Sequence, residues 1–123
     1  MIELIAHLIG DYAIQDHWMA STKTSRWFPA VVHAALYSVV FRLLFWDASW
    51  LAIAIIGSTH LIIDRFRLAR FWVDTWGVGK PGVIARLARC DTQDAPAWLG
   101  VWLLIIVDNT WHLAINHAAL AWL

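Results

Sequence analysis

His60-Leu61-Ile62-Ile63-Asp64 places an imidazole and a carboxylate four residues apart inside an apolar run, and the start of the chain repeats the pattern as His7-Leu8-Ile9-Gly10-Asp11. The last apolar run carries the reverse order, from Asp108 to His112. Residues four apart share one face of a helix. Each pair is therefore a two-pronged polar feature on an apolar rod. In lipid such a face is costly, so it has to turn toward other helices or a wet cavity.

The rest of the composition says what the rods are. The chain is 61% hydrophobic and only 15% charged, less polar surface than a soluble domain of this size needs. Its apolar runs are too long for buried core helices, since about 20 residues at 1.5 Å each cross the hydrocarbon layer. The expected fold is all-α: one transmembrane domain over 1–123, an integral membrane four-helix bundle with spans of about 2–18, 27–46, 50–66 and 97–123. Trp18, Trp27, Trp46, Trp50, Trp98 and Trp122 fall at the span ends, where indole prefers the interface. Zero net charge and the lack of a basic, aromatic-interleaved face argue against a nucleic-acid partner. A single cysteine, Cys90, excludes an internal disulfide, and the N-terminus lacks the basic flank of a removable signal peptide.

Charge sets the topology. Lys23, Arg26, Arg65, Arg67, Arg70, Lys80, Arg86 and Arg89 are eight of the nine basic residues, and all fall on the connections 19–26 and 65–96. The positive-inside rule puts both connections in the cytoplasm and both termini outside, in an inner-membrane multi-pass protein. Arg65, Arg67 and Arg70 alternate with Phe66, Leu68, Phe71 and Trp72, as in an amphipathic segment lying along the interface between helices 3 and 4 and anchored on anionic head groups. Gly77 to Gly82 should end that helix, Val83 to Arg89 form a short amphipathic turn, and Thr92 or Asp94 cap the last span. The repeated His-Leu-Ile-x-Asp pattern on helices 1 and 3 is that of a duplicated helical hairpin. Gly57, Ser58, Ala52 and Ala54 are candidates for close approach between copies in a homo-oligomer.

Counting from the cytoplasmic ends puts Asp11 about 10 Å deep, His33 about 8 Å, His60 about 9 Å, His7 and Asp108 about 16 Å, and His112 about 20 Å or more, with Asp64 nearer the surface. All four helices thus bring an ionisable group to one half of the bilayer. An Asp at the centre of a membrane helix costs about 3 kcal/mol on insertion scales, so partners must offset it. Imidazoles and carboxylates are ligands for Zn²⁺, Mn²⁺ or Fe²⁺, and one divalent ion neutralises two carboxylates. The expected metal ligands are His7, Asp11, His33, His60, Asp64, Asp108 and His112. Asp11, His60 and Asp64 are the candidates for catalysis, because a bound water there would be acidified and could attack an ester or phosphoester. Lys23 and Arg67 would hold an anionic head group, with Gln15 and Asn109 also set to contact substrate. Three other readings compete: a metal-free His–Asp network gluing the helices, a small oligomeric channel or holin-like protein, and a membrane adaptor without chemistry.

The motifs also resemble a family. His7-Leu-Ile-Gly-Asp11, Gln15, Trp18-Met19-Ala20, Lys23, His33, His60-Leu-Ile-Ile-Asp64 and Asp108-Asn-x-x-His112 are similar to the signature of small bacterial and phage membrane proteins catalogued as domain of unknown function 3307. That family usually has glutamine where Asn109 stands and lysine where Arg67 stands; both replacements keep hydrogen-bonding character. The resemblance implies a fold and a residue list, and no reaction. A looser likeness to membrane-bound metal-dependent hydrolases rests on the His- and Asp-bearing helices alone.

Overall fold

The computed structural model describes residues 1–76 and 97–123. Among these residues the chain is all-helical: α1 (Ile2–Leu8), a π-helical turn (Ile9–Ala13), α2 (His17–Thr22), α3 (Trp27–Leu44), α4 (Trp50–Phe66), α5 (Leu68–Trp76) and α6 (Ala97–Trp122). The glycine-rich break, the 83–89 turn and the cap before the last helix lie outside the described residues. The chain divides into two compact units, residues 1–66 with 112–123, and residues 67–111.

In the first unit α3 and α4 pack most extensively. Pro29 sits in the first turn of α3, where its missing N–H is not needed. Ala30, His33, Ala34, Tyr37 and Phe41 then form the buried stripe of α3, and Ile53, Ile56, Gly57, His60 and Asp64 that of α4. Ser49 caps α4, its Oγ accepting the Ala52 N–H at 3.0 Å. Gly57 is consumed by this packing, since a Cβ there would come 2.2 Å from Ser38 Oγ. Ala52 is likewise buried, whereas Ala54 and Ser58 are exposed.

The first expected span, 2–18, is not one rod. The Ile14 N–H reaches back five residues to the Ile9 carbonyl at 3.1 Å, closing a π turn. The chain then leaves the helix until Asp16, whose carboxylate accepts the Met19 N–H at 2.7 Å and caps α2. This cap competes with helix continuation and wins, so α2 carries Lys23 back at its C-terminal end.

In the second unit, Arg67 adopts a positive φ of 52°, which breaks the helix expected to continue from Arg65 to Trp76 and starts α5 afresh at Leu68. Within α5, Arg70 Nε donates to Asp74 at 2.8 Å on the exposed face.

Two helices, Trp27–Leu44 and Trp98–Trp122, are long and apolar enough to cross a membrane. α4, at 17 residues, and the 7-residue α1 are shorter than that. The outer surface is unusually apolar: Trp46, Trp50, Leu43, Phe28 and Trp122 are each more than 70% exposed. Only 6% of the apolar window of α6 is buried.

Candidate metal centre

Beneath a small apolar core of Tyr37, Phe41, Ala52, Ile53 and Ile56, the first unit buries a polar layer. His7 and His60 are 0% exposed, His33 and His112 1%, Asp11 5% and Asp64 9%. Buried ionisable groups are rare unless paired or bound to an ion.

Four ligand atoms converge. Asp11 comes from the π turn, His33 from α3, and His60 and Asp64 from successive turns of α4; one donor atom from each lies within 4.8 Å of all the others. His60 Nε2 is 3.0 Å from His33 Nε2, and His33 Nε2 is 3.1 Å from Asp11 Oδ1 and 3.3 Å from Asp64 Oδ2. His60 Nε2 is 3.4 Å from Asp64 Oδ2 and 3.8 Å from Asp11 Oδ1. A cation held tetrahedrally at about 2.0–2.1 Å separates its ligands by about 3.3–3.4 Å. The observed edges bracket that value. They also overcommit His33 Nε2, which has one proton or one lone pair for three such neighbours.

Lys23 closes the open side. Its Nζ is 2.5 Å from Asp64 Oδ2, 3.2 Å from His33 Nε2 and 3.6 Å from Asp11 Oδ1. Asp11, Asp64 and Lys23 together carry one net formal negative charge, which either a protonated imidazole or a bound cation balances.

A supporting layer holds the imidazoles. Tyr37 is stacked on His60 with centroids 3.8 Å apart. The Asn116 amide donates to the Tyr37 hydroxyl at 2.6 Å, and His7 Nδ1 is 2.8 Å from the same oxygen. His7 therefore turns Nε2 toward Asp11 Oδ2, 4.0 Å away, one step back from the four converging atoms. His112 Nδ1 is 3.2 Å from His60 Nδ1, and its Nε2 is 3.4 Å from Asp64 Oδ1. Such partners orient metal-binding histidines. His33 departs from that pattern: its Nδ1 is buried with no hydrogen-bond partner among the described residues. Ligation through Nε2 would leave the proton there, at about 1–3 kcal/mol.

Other expected site residues are placed differently. Asp108 and Asn109, half-buried on α6, and Arg67, exposed at its turn, belong to the second unit. Gln15 lies between the π turn and α2 with its amide oxygen buried and unpartnered among the described residues. Glu3, half-buried on α1, faces His117 at 3.1 Å. Arg65, read from the sequence as a lipid anchor, donates to the Thr24 and Ser25 carbonyls and lies 4.9 Å over the Trp27 ring. Tyr37, by its packing and bonded hydroxyl, and Asn116, by its amide, carry the support. Their signal was spacing, each following a buried histidine by four residues.

A protein-family model described as “Protein of unknown function (DUF3307)” matches residues 1–87. The chain belongs to this family. The matched stretch contains Asp11, Lys23, His33, His60 and Asp64, while the Asp108–His112 motif and Asn116 lie beyond it. No curated protein and no solved structure matches the chain.

Proposed function

We propose that this DUF3307 protein is an integral membrane protein with an intramembrane divalent-metal site, and that the site serves hydrolysis of a lipid-linked or amphiphilic phosphate or ester. The observation that carries the reading is the convergence of Asp11 Oδ1, His33 Nε2, His60 Nε2 and Asp64 Oδ2, five of whose mutual separations run from 3.0 to 3.8 Å. Two nitrogens and two oxygens in that arrangement suit zinc. The apolar exterior around a polar centre supports the membrane setting: a soluble monomer rarely exposes a contiguous apolar patch beyond a few hundred Å².

A bound divalent ion would lower the pKa of a water at the site toward neutrality. The chain's own groups do the rest. Asp11 and Asp64 hold the ion, and His112 and Tyr37 fix the plane of His60. Lys23, displaced from the cage by the ion, stays beside it as an anion handle. With a divalent ion the charge of Asp11, Asp64 and Lys23 becomes positive by one, which an anionic substrate group neutralises.

Protein purified in detergent is expected to retain about one zinc per chain, lost in Asp11→Ala and His60→Ala. It should also hydrolyse an amphiphilic phosphoester in a zinc-dependent way. Metal-free wild-type protein that stays metal-free in excess zinc would sink the reading.

One observation favours a second reading. The Lys23–Asp64 contact at 2.5 Å makes the ammonium itself a cation for the cage, and the layer then a metal-free polar network holding the helices. Lys23→Met separates the two. Under the metal reading zinc binds more tightly because no ammonium has to leave. Under the network reading the variant loses stability and gains no metal.

A further inference from the structure

Three consecutive residues at the end of α4 each meet the connection that leads into α3. Asp64 Oδ2 accepts from Lys23 Nζ at 2.5 Å. Arg65 donates to the Thr24 and Ser25 carbonyls, and its guanidinium carbon lies 4.9 Å over the Trp27 ring. The Phe66 and Trp27 rings then meet edge to face, with centroids 6.1 Å apart. These contacts make a rim of three rungs whose polarity is graded. The inner rung is charged and nearly sealed, the side chains of Asp64 and Lys23 being 7% and 14% exposed. The outer rung is apolar and open: Trp27 is 55% exposed and Phe66 56%.

The rim is also the way in. Lys23 is more exposed than Asp11, His33, His60 or Asp64, so a ligand coming from outside meets it first. Arg65 adds a positive charge whose partners are carbonyls and a ring, with no carboxylate paired to it among the described residues. Trp27 opens one of the two helices long and apolar enough to cross a membrane. Indole at a span end sits at the level of the head groups.

We propose that this rim is the entrance to the metal centre and that it selects an amphiphile: the anionic head group passes to Lys23 while the alkyl chain stays outside, against Trp27 and Phe66. This rests on the membrane-hydrolase reading above and adds to it the residues that recognise the chain. Apolar surface laid on two exposed rings leaves water or head groups, whereas the charged head meets the ammonium and the ion. A short-chain ester of the same head group gains only the inner half of that binding. Arg65, held by two backbone carbonyls, is the positioning residue that keeps the Trp27 ring on the rim.

The test uses two p-nitrophenyl phosphodiesters, ethyl and hexadecyl, with zinc-loaded full-length protein in one detergent. Head group and leaving group are the same, so the ratio of kcat/KM for the long ester to that for the short one isolates the chain. Trp27→Ser and Phe66→Ser are expected to lower that ratio about tenfold, mainly through KM for the hexadecyl ester. Phe66→Leu, which keeps an apolar side chain, restores most of it. Lys23→Met lowers kcat/KM for both esters alike and keeps the wild-type ratio. Both rings are more than half exposed, so the serine variants retain the helices, checked by circular dichroism. A wild type with no preference for the long chain, or a ratio unchanged in both serine variants, overturns the entrance. An equal fall for both esters does so too, since that is what a merely structural role would give. A wild type that holds no zinc or cleaves neither ester instead removes the reading beneath it, so the two failures are distinguishable.

Discussion

The Tyr37 ring lies flat against the His60 imidazole, centroids 3.8 Å and planes 8° apart, while its hydroxyl meets His7 and Asn116 on the other side of the layer. One aromatic residue thus ties three histidine- or amide-bearing helices to the α3 backbone. Tyr37→Phe keeps the stack and removes the hydroxyl, leaving the Asn116 amide and His7 Nδ1 without this partner in a buried site. The expected cost is about 1–3 kcal/mol, read as a lower midpoint of thermal unfolding in detergent. An unchanged midpoint would show that the hydroxyl bonds contribute nothing.

Gly10, in the π turn, packs directly against that ring. A Cβ there would lie 2.5 Å from Tyr37 Cδ2, and the ring is held by the stack and by two hydrogen bonds. Gly10→Ala is expected to cost about 1–3 kcal/mol by overpacking and to weaken metal binding as well. Loss of stability with unaltered zinc affinity would separate the ring's position from the site.

Gly57 offers a sharper test. The methyl of Gly57→Ala would sit 2.2 Å from Ser38 Oγ, but 3.5 Å from Ser38 Cβ and 3.8 Å from the Ala34 carbonyl. Ser38→Ala removes the one atom in the way. Gly57→Ala alone should destabilise by about 1–3 kcal/mol, and most of that loss should vanish in the double variant. Additive effects would mean that the backbones, not the hydroxyl, set the α3–α4 distance.

Arg65 holds the connection between α2 and α3 through the Thr24 and Ser25 carbonyls and the Trp27 ring. Arg65→Met is expected to loosen residues 23–26, seen as faster amide exchange and faster proteolysis there with the helical content retained. Equal protection in variant and wild type would refute a tethering role.

How much of this was legible depends on the kind of information each feature needs. The stripes were readable, because a four-residue repeat has one meaning on a helix; hence Asp11, His60 and Asp64 follow from spacing, and His33 from its depth along the second span. The inequality of His7 and His60 was not. The two motifs look alike in sequence, and only the Tyr37 hydroxyl, a partner 30 positions away from His7, draws one imidazole aside. The interruption of the first helix has a local signal, since Asp16 stands three residues before the amide it caps. The tether made by Arg65 has no local signal, because a row of arginines beside aromatics reads as an interfacial anchor and nothing nearby reveals the carbonyls 40 and 41 residues upstream that accept from it.

The π turn between Ile9 and Ala13 has a consequence for how this chain tolerates change in length. A turn that closes over five residues holds one more than a regular coil, and each residue of α-helix is worth about 100° of rotation. Removing one residue from that loop of backbone would let it close as an ordinary turn with the leading segment, Glu3 and His7 included, near its present rotation, whereas a deletion in the regular coil of α1 would swing what precedes it by about 100°. A one-codon deletion between Ile9 and Ala13 that spares Gly10 and Asp11 should therefore be less damaging than one between Ile2 and Leu8.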